Sequence, residues 1–473
     1  MDLVSQQANP LVVFRLKPLN HRAKEVVRHP LNAHLVTDDG QGYLEIGVIP
    51  SKVNDGVTLA TFGRDGDVFM EGPTVSRLQC AFEIDPISRV VMFYDKSHNN
   101  SSAVHSMDGH GIAPGGVLPK VFPFQYGRPR KVYVGPYANP VIGMCGEHRD
   151  LVLLRLIWSE DAQEAIARKA NRLSMRGVAN VPQLAKTIDD TETAPETTRV
   201  TRIHTPALGH AMLIRYQIWD VLGEGSSGVV HRVIDVDTGK IMALKTLKQS
   251  ATTAAEWAVC QREVKILAEI SHPHILDLIW SQHWDRGEAE IFCGLKDGAL
   301  DALVRSGSYA PSLSLENLAQ RVLHHMLQAL DVLACRGVVH RDVKPENIFY
   351  VQRADGYHFQ LGDFGLSNHA NIATSGRVGT GIFMAPEMYS GNGLRTHKVD
   401  VWSLFVSILW VLDVGGFRDR SLRFVSYQNV QTTVQELAAH PDMASIRSMA
   451  APHPDQRASA AQTKCRPYPS NHL

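Results

Sequence analysis

The sequence has almost no charge bias. Lys+Arg total 48 and Asp+Glu total 48, a formal net charge of zero. That argues against binding nucleic acid or anionic membrane by bulk electrostatics. Cysteine is scarce too, with six residues (Cys80, Cys145, Cys260, Cys293, Cys335, Cys465) and no C-x-x-C pair. Neither a disulfide framework nor a zinc site follows from that spacing, and a reducing compartment, nucleus or cytoplasm, fits. The opening residues lack a long apolar core after a basic start, so no secretory signal is expected. Nor is there an apolar run long enough for a bilayer, which takes about 20 residues. The longest, Val401–Val414, is broken by Ser403, Ser407 and Asp413 and reads as a buried core helix. At 473 residues and 44% apolar content, the chain has the composition of a globular protein with room for several domains.

What is present falls into two textures. Residues 1–33 carry little pattern and read as a tail. From 34 to 158, short apolar runs alternate with turn signals such as Asp38-Asp39-Gly40, Asn54-Asp55-Gly56 and Asp65-Gly66-Asp67. Period-two alternation is visible around Thr58–Phe62 and Val90–Tyr94, which predicts a β-sandwich. Three polar clusters sit on its turns: Gly63-Arg64, Ser76-Arg77 and Asp95–Ser101. Arginine offers a forked, charge-assisted contact, and Ser and Asn add neutral donors, so together they could hold a phosphate.

These clusters, with their motif core at 60–115, resemble the forkhead-associated (FHA) domain, a reader of phosphothreonine peptides. The match is Gly63-Arg64, then Ser76, then Asp95-x-Ser97-x-Asn99. Two positions depart from the family's pattern: Gln79 stands where it has His, and Asn100 where it has Gly. The first puts loop rigidity in question. The second puts the loop conformation in question, although Asn tolerates left-handed φ better than most residues. The resemblance implies that Arg64, Ser76, Arg77 and Asn99 contact phosphate, and that phosphothreonine-containing proteins are partners.

Residues 159–175 are helical in composition, with Ser159 a plausible N-cap. The remainder of 159–212 is rich in Thr, Pro and charge and reads as a linker. One of its threonines, once phosphorylated, is a candidate ligand for a module of this kind in the same or another copy, which would give transient self-association.

The second texture begins at 213 with Gly223-x-Gly225-x-x-Gly228-x-Val230. A dinucleotide-binding loop would open a helix directly after such glycines. Here a strand continues from Val229, turns at Asp237-Thr238-Gly239, and a second strand follows over Ile241–Leu247. Glycines between two strands can lie flat over phosphates and donate backbone N–H groups. Side chains alternate along the second strand, so Ala243 and Lys245 share a face. A helical stretch over 253–270 carries Glu263 in an apolar stripe, and a carboxylate there calls for a cation such as Lys245. The polar octet His340–Asn347 lies between two apolar segments. Beyond it, Asn347–Val351 and Tyr357–Leu361 form a predicted hairpin. Its two ends would lie side by side and set Asn347 beside Asp363, near Asp342, a hard-oxygen site suited to Mg²⁺.

In order, these motifs resemble the eukaryotic protein kinase family, over 213–463, with 464–473 as a tail. The set is completed by Asp363-Phe364-Gly365, Ala385-Pro386-Glu387, Asp400 and Arg457. The resemblance implies a multidomain chain, a β-sandwich joined to a bilobal α+β kinase fold, using ATP and Mg²⁺ on protein substrates. It implies that Leu222, Gly223, Glu224, Gly225, Ser226, Ser227, Gly228 and Val229 cover the ATP phosphates. Val230, Ala243 and Phe349 would enclose the adenine. Lys245 would contact phosphate and pair with Glu263, and Asn347 and Asp363 would hold Mg²⁺. Asp342 would orient the acceptor hydroxyl, and Lys344 marks the serine/threonine class. Phe292 is expected as the gatekeeper. Arg341 beside Asp342 implies control by a phosphate on the activation segment, at Thr374 or Ser375, while Thr380 would face the substrate. The pairing of the two modules resembles DNA-damage checkpoint kinases, chiefly of fungi. The alternatives are a catalytically weak kinase-fold scaffold, or an active kinase whose sandwich binds no phosphopeptide.

Overall fold

The computed structural model describes residues 11–37, 42–105, 121–122, 124, 130–136, 140–176, 213–225, 228–248, 254–307, 309, 313–363, 381–389 and 396–464. The chain divides into two compact units, residues 1–219 with 233–241, and 220–232 with 242–473.

The first unit is built on two sheets. Its strands are β1 (Phe14–Pro18), β2 (Leu44–Ile46), β3 (Thr58–Gly63), β4 (Val68–Phe69), β5 (Cys80–Ile84), β6 (Val91–Asp95), β7 (Ser102–His105), β8 (Val121–Phe122), β9 (Lys131–Tyr133), β10 (Val141–Met144) and β11 (Val152–Trp158). One sheet runs β2-β1-β11-β10-β7-β8 and the other β4-β3-β5-β6-β9. Phe14 of the first sheet meets Phe82 of the second with ring centroids 4.9 Å apart, and Phe82 in turn packs on Phe93 at 5.4 Å. Such tilted aromatic pairs add to the apolar burial of the core.

The sandwich starts earlier than expected. β1 and the helix α1 (His21–Arg28) lie inside the span read as a tail. β1 pairs with β11 from Phe14↔Trp158 to Pro18↔Leu154. Its apolar pattern is only Phe14 and Leu16, too short to stand out. Its partner is the module's last strand, and that long-range pairing is what makes it a strand. The helix expected at Ser159 begins at Ala162 and runs to Arg176 as α2, with the Ser159 carbonyl accepting from Ala162 N at 3.2 Å. The linker residues 177–212 lie outside the described residues.

Most of a second five-stranded sheet, ordered β12-β13-β14-β16-β15, belongs to the second unit. Its strands are β12 (Tyr216–Gly225), β13 (Gly228–Asp235), β14 (Ile241–Lys248), β15 (Leu278–Gln282) and β16 (Glu288–Gly294). Helix α3 (Ala254–Glu269) packs on this sheet through Trp257, Cys260 and Val264, against Leu247, Ala289 and Ile291. A helical body follows, with α4 (Leu300–Ser306), α5 (Leu315–Cys335), α6 (Pro386–Tyr389), α7 (Lys398–Leu412), α8 (Phe417–Ser421) and α9 (Tyr427–Ala438). Strands β17 (Gly298–Ala299), β18 (Ile348–Arg353) and β19 (Gly356–Leu361) form a small sheet on it. The apolar run near Val401 is α7, with Val399–Val411 buried, and it stops at Asp413 in the left-handed conformation.

A column of histidines joins the loop after α3, helix α5 and strand β19. His274 stacks on His325 with centroids 3.9 Å apart. His325 Nδ1 accepts from the Phe359 N–H at 3.2 Å, and His274 Nδ1 faces the Phe359 carbonyl at 3.0 Å and so donates to it. Burial first, then the neighbouring His272, His324, His358 and Arg321, pulls the imidazoles down, His274 to about 4 and His325 to about 3. The Phe359 carbonyl opposes this at His274, and Asp355 faces His358 at 2.9 Å. Both rings titrate at about 6.5 in an unfolded chain. The unfolded state therefore binds more protons below that pH, and stability falls as pH drops from about 6.5 toward about 4. The slope is at most about 1.4 kcal/mol per imidazole per pH unit. Thermal unfolding between pH 7 and pH 5 should show this fall, and His274→Gln with His325→Gln should flatten it.

Candidate functional site

The octet is held from below by one buried carboxylate. Asp400, near the start of α7, accepts from the backbone N–H of His340 at 2.8 Å and of Arg341 at 2.7 Å. Burial pushes its carboxyl up to about 7 against those two hydrogen bonds. Arg341 sits at φ 68, a left-handed conformation that this anchoring holds. The buried His340 ring reaches the Gly362 carbonyl through Nε2 at 3.0 Å, and Asp342 N donates to its Nδ1 at 3.3 Å. One imidazole thus links the octet to the segment that carries Asp363.

The hairpin has the register expected of it. Ile348 pairs with Leu361, and Gly362 N donates to the Asn347 carbonyl at 2.9 Å. Asn347 is buried, and its Nδ2 donates to Asp342 Oδ2 and to the Asp342 carbonyl, both at 2.8 Å. Lys344 Nζ lies 2.8 Å from the same Asp342 oxygen. Lys245, half-buried on β14, forms an ion pair with Asp363. Burial raises the Asp363 carboxyl, but the Lys245 ammonium and its hydrogen bond, with His340 and Lys344, outweigh it and hold the group below its ordinary value. Asp342, Lys344 and Asn347 form one polar group and Lys245 with Asp363 another, and the Gly362 backbone, bonded to the Asn347 carbonyl and the His340 ring, links the two. Glu263 is on α3, but its side chain lies outside the described residues, as do Ser226, Ser227, Thr374, Ser375 and Thr380.

Leu222, Gly223 and Glu224 are exposed near the end of β12, which closes at Gly225. Gly228 opens β13, followed by half-buried Val229 and Val230. Ala243 and Lys245 are half-buried while Met242 and Leu244 are fully buried, as alternation requires. Phe349 is half-buried and pairs with Ala299. The expectation for Phe292 needs correction. Phe292 pairs with Leu244, and directly paired residues share a face, so it points away from Lys245. Cys293 pairs with Ala243, and Ile291 with Lys245; these two occupy the Lys245 side. Burial first pushes the Cys293 thiol up to about 12, with the Lys245 and Lys296 ammoniums opposing.

In the first unit the three polar loops meet at one end of the sandwich. Arg64 N donates to the Ser76 carbonyl at 3.2 Å, and Asp65 N to the Arg77 carbonyl at 2.9 Å. Gly63 has φ +143, and a Cβ there would lie 2.3 Å from the Arg77 carbonyl oxygen, so only glycine allows this approach. Gln79 is fully buried. Its Oε1 accepts from Ser76 N at 3.0 Å, and its Nε2 donates to Ser101 Oγ at 2.9 Å and Ser102 Oγ at 2.8 Å. One amide thereby ties the second loop to the third. Asn100 adopts φ 53, so its loop keeps the turn that glycine would make.

Arg64 and Asn99 are exposed, and among the described residues neither side chain has a hydrogen-bond or ion-pair partner. Arg77 is held by Asp65 at 2.6 Å. Sequence reasoning missed Arg130, whose Nη1 contacts Asp95 Oδ2 at 3.1 Å, the Ser97 carbonyl at 2.8 Å and the Asn100 side chain. Nothing in its own basic run, Arg128-Pro129-Arg130-Lys131, marks it out. Replacing Gln79 by Leu would leave the Ser76 amide without its acceptor, at a cost of about 1–3 kcal/mol. Hydrogen exchange should show that amide exchanging at least about tenfold faster in Gln79→Leu, with partial recovery in Gln79→His.

Comparison with known proteins matches the protein kinase domain family to residues 216–468, more than half of the chain. A rice (Oryza sativa subsp. japonica) CBL-interacting protein kinase is 33% identical over 220 residues, 44% of this chain and 52% of that protein. Serine/threonine-protein kinase fused of Drosophila melanogaster is 31% identical over 193 residues, 40% of this chain and 23% of that protein. Human serine/threonine-protein kinase DCLK2 is 32% identical over 206 residues, 43% of this chain and 26% of that protein. The chain thus spans about half, or less, of the length of the curated relatives it matches.

Proposed function

The chain belongs to the protein kinase family, and we propose that it is an ATP-dependent serine/threonine kinase carrying an N-terminal phosphothreonine reader. The Asp342–Lys344–Asn347 group and the Lys245–Asp363 pair, linked through the Gly362 backbone, support the first half of this reading most strongly. The family uses ATP with Mg²⁺. The donor set here fits that ion: Asp363 is a carboxylate, and with Asn347 Nδ2 committed to Asp342, Oδ1 is the atom left to face a cation. Mg²⁺ held there would neutralise charge on the transferring phosphoryl group.

The residues' own parts follow from their chemistry. The backbone around Gly223, Gly225 and Gly228, free of side-chain bulk at the glycines, would donate N–H groups to phosphates. Lys245 would bring its ammonium to the same oxygens. Asp342, held by Asn347 and Lys344, would accept a hydrogen bond from the incoming Ser or Thr hydroxyl and take its proton. Lys344 would stabilise charge developing on the phosphoryl oxygens. Arg341 carries a cation beside this group, which supports control by a phosphate at Thr374 or Ser375.

For the first unit, Arg64 and Asn99 are exposed and unengaged while Gln79 and Arg130 secure the loops behind them. That combination supports a preformed anion site for phosphothreonine, and recruitment of phosphorylated partners, in checkpoint-type or cell-cycle signalling by analogy with the resembling kinases.

Phosphoryl transfer to a peptide library from radiolabelled ATP should fall at least about 100-fold in Asp342→Asn. Thr374→Ala with Ser375→Ala should lower it at least about tenfold, and equal turnover would remove the regulatory part. Phosphothreonine-peptide affinity should drop at least about tenfold in Arg64→Ala, the worth of one charged hydrogen bond. Binding indifferent to Arg64 would leave an active kinase whose sandwich does not read phosphate.

A further inference from the structure

The turn Gly381–Phe383 and Met384 lie between Thr380, expected to face the substrate, and Ala385-Pro386-Glu387. Two tyrosines hold this turn from one side. Tyr389, at the end of α6, stacks on Tyr427, the first residue of α9, with ring centroids 3.5 Å apart and planes 20° apart. The Tyr389 hydroxyl donates to the Gly381 carbonyl at 2.9 Å. The Tyr427 hydroxyl donates to the Met384 carbonyl at 3.0 Å.

Each part of this clamp is locally secured. A Cβ on residue 381 would lie 2.0 Å from the Tyr389 hydroxyl oxygen, so the glycine is what admits that hydroxyl. Ser426 caps α9 by accepting from Asn429 N at 3.3 Å, which places Tyr427 on the first turn. Within α6, buried Glu387 is fixed by Arg457 through contacts of 2.7 and 3.0 Å. Burial raises both phenols, Tyr389 to about 12, so they remain protonated donors at neutral pH. Tyr389 nevertheless stays 40% exposed beside the turn.

From this geometry we infer that Tyr389 and Tyr427 are positioning residues for the protein substrate. They fix the carbonyls of Gly381 and Met384, and with them the strip of backbone that follows the substrate-facing residue. Among the described residues, their ring and hydroxyl contacts run to each other and to the Gly381 and Met384 carbonyls, and none reaches Lys245, Asp363 or Asp342. Their loss should therefore weaken engagement of the protein substrate while leaving nucleotide affinity and the chemical step nearly intact. The inference rests on the kinase reading above.

The test is steady-state kinetics of the full chain, with myelin basic protein as the probe substrate and its KM measured separately from that of ATP. Tyr389→Phe and Tyr427→Phe keep the stacked rings and each remove one hydrogen bond. Each should raise the protein KM about 3- to 10-fold, with kcat and the ATP KM within about twofold of wild type. Tyr389→Leu, which removes the stack as well, should raise the protein KM further. An unchanged protein KM in active Phe variants would overturn the inference alone, as would a matching rise in the ATP KM, which a general loss of structure would produce. A wild type no faster than Asp342→Asn would overturn the kinase reading, and this inference with it.

Discussion

The capture of two backbone N–H groups by buried Asp400 is the contact on which the polar octet depends. It fixes His340 and Arg341, and each passes the constraint on. His340 spends its ring on the Gly362 carbonyl, and Gly362 returns a hydrogen bond to Asn347. Asn347 then holds Asp342. A carboxylate in the apolar core of α7 therefore sets the places of residues on two loops. Left-handed φ at a residue other than glycine costs on the order of 1–3 kcal/mol. A hydrogen bond contributes about 0.5–1.5 kcal/mol when neutral and about 1.5–3 kcal/mol to a charged group. With its carboxyl pushed up to about 7, Asp400 is divided between the two forms at neutral pH, and its two hydrogen bonds together are of the same order as the strain at Arg341.

Gln79 does the equivalent work in the first unit. It too is a buried polar group in a mostly apolar setting, saturated by hydrogen bonds that reach across loops. Burying an amide is costly unless its donors and acceptor are used, and here Oε1 and Nε2 are all engaged. The departure from His at this position therefore does not loosen the loops. It replaces a ring that titrates near neutrality with an amide that does not.

How much of this was legible varied with the range of the interaction. The hairpin was readable because its register follows from two short apolar runs and one turn, and that register alone brings Asn347 to Gly362. The shared face of Ala243 and Lys245 followed from strand parity, and the apolar run near Val401 had the length of a core helix. Phe292 was misplaced because spacing along one strand does not tell which face a residue takes; the pairing with β14 decides that. β1 was missed because its two apolar residues gain meaning only against β11. Arg130 and the Tyr389–Tyr427 stack were illegible for the same reason, since each depends on partners far away in sequence.

The charge pattern of the cluster gives a reason for its density. Lys245 and Lys344 each rest against a carboxylate, Asp363 and Asp342, so the four charges sum to zero. Two buried cations alone would carry a large desolvation penalty, and so would two buried anions. Paired, they can be kept out of water at modest cost. A polyanionic ligand with its counter-cation adds both signs of charge and can be received without leaving either lysine or either aspartate unbalanced. Within the octet, Asp342 and Lys344 form one such pair, and Asn347 holds the same carboxylate, so the polar side chains at its centre are balanced against one another.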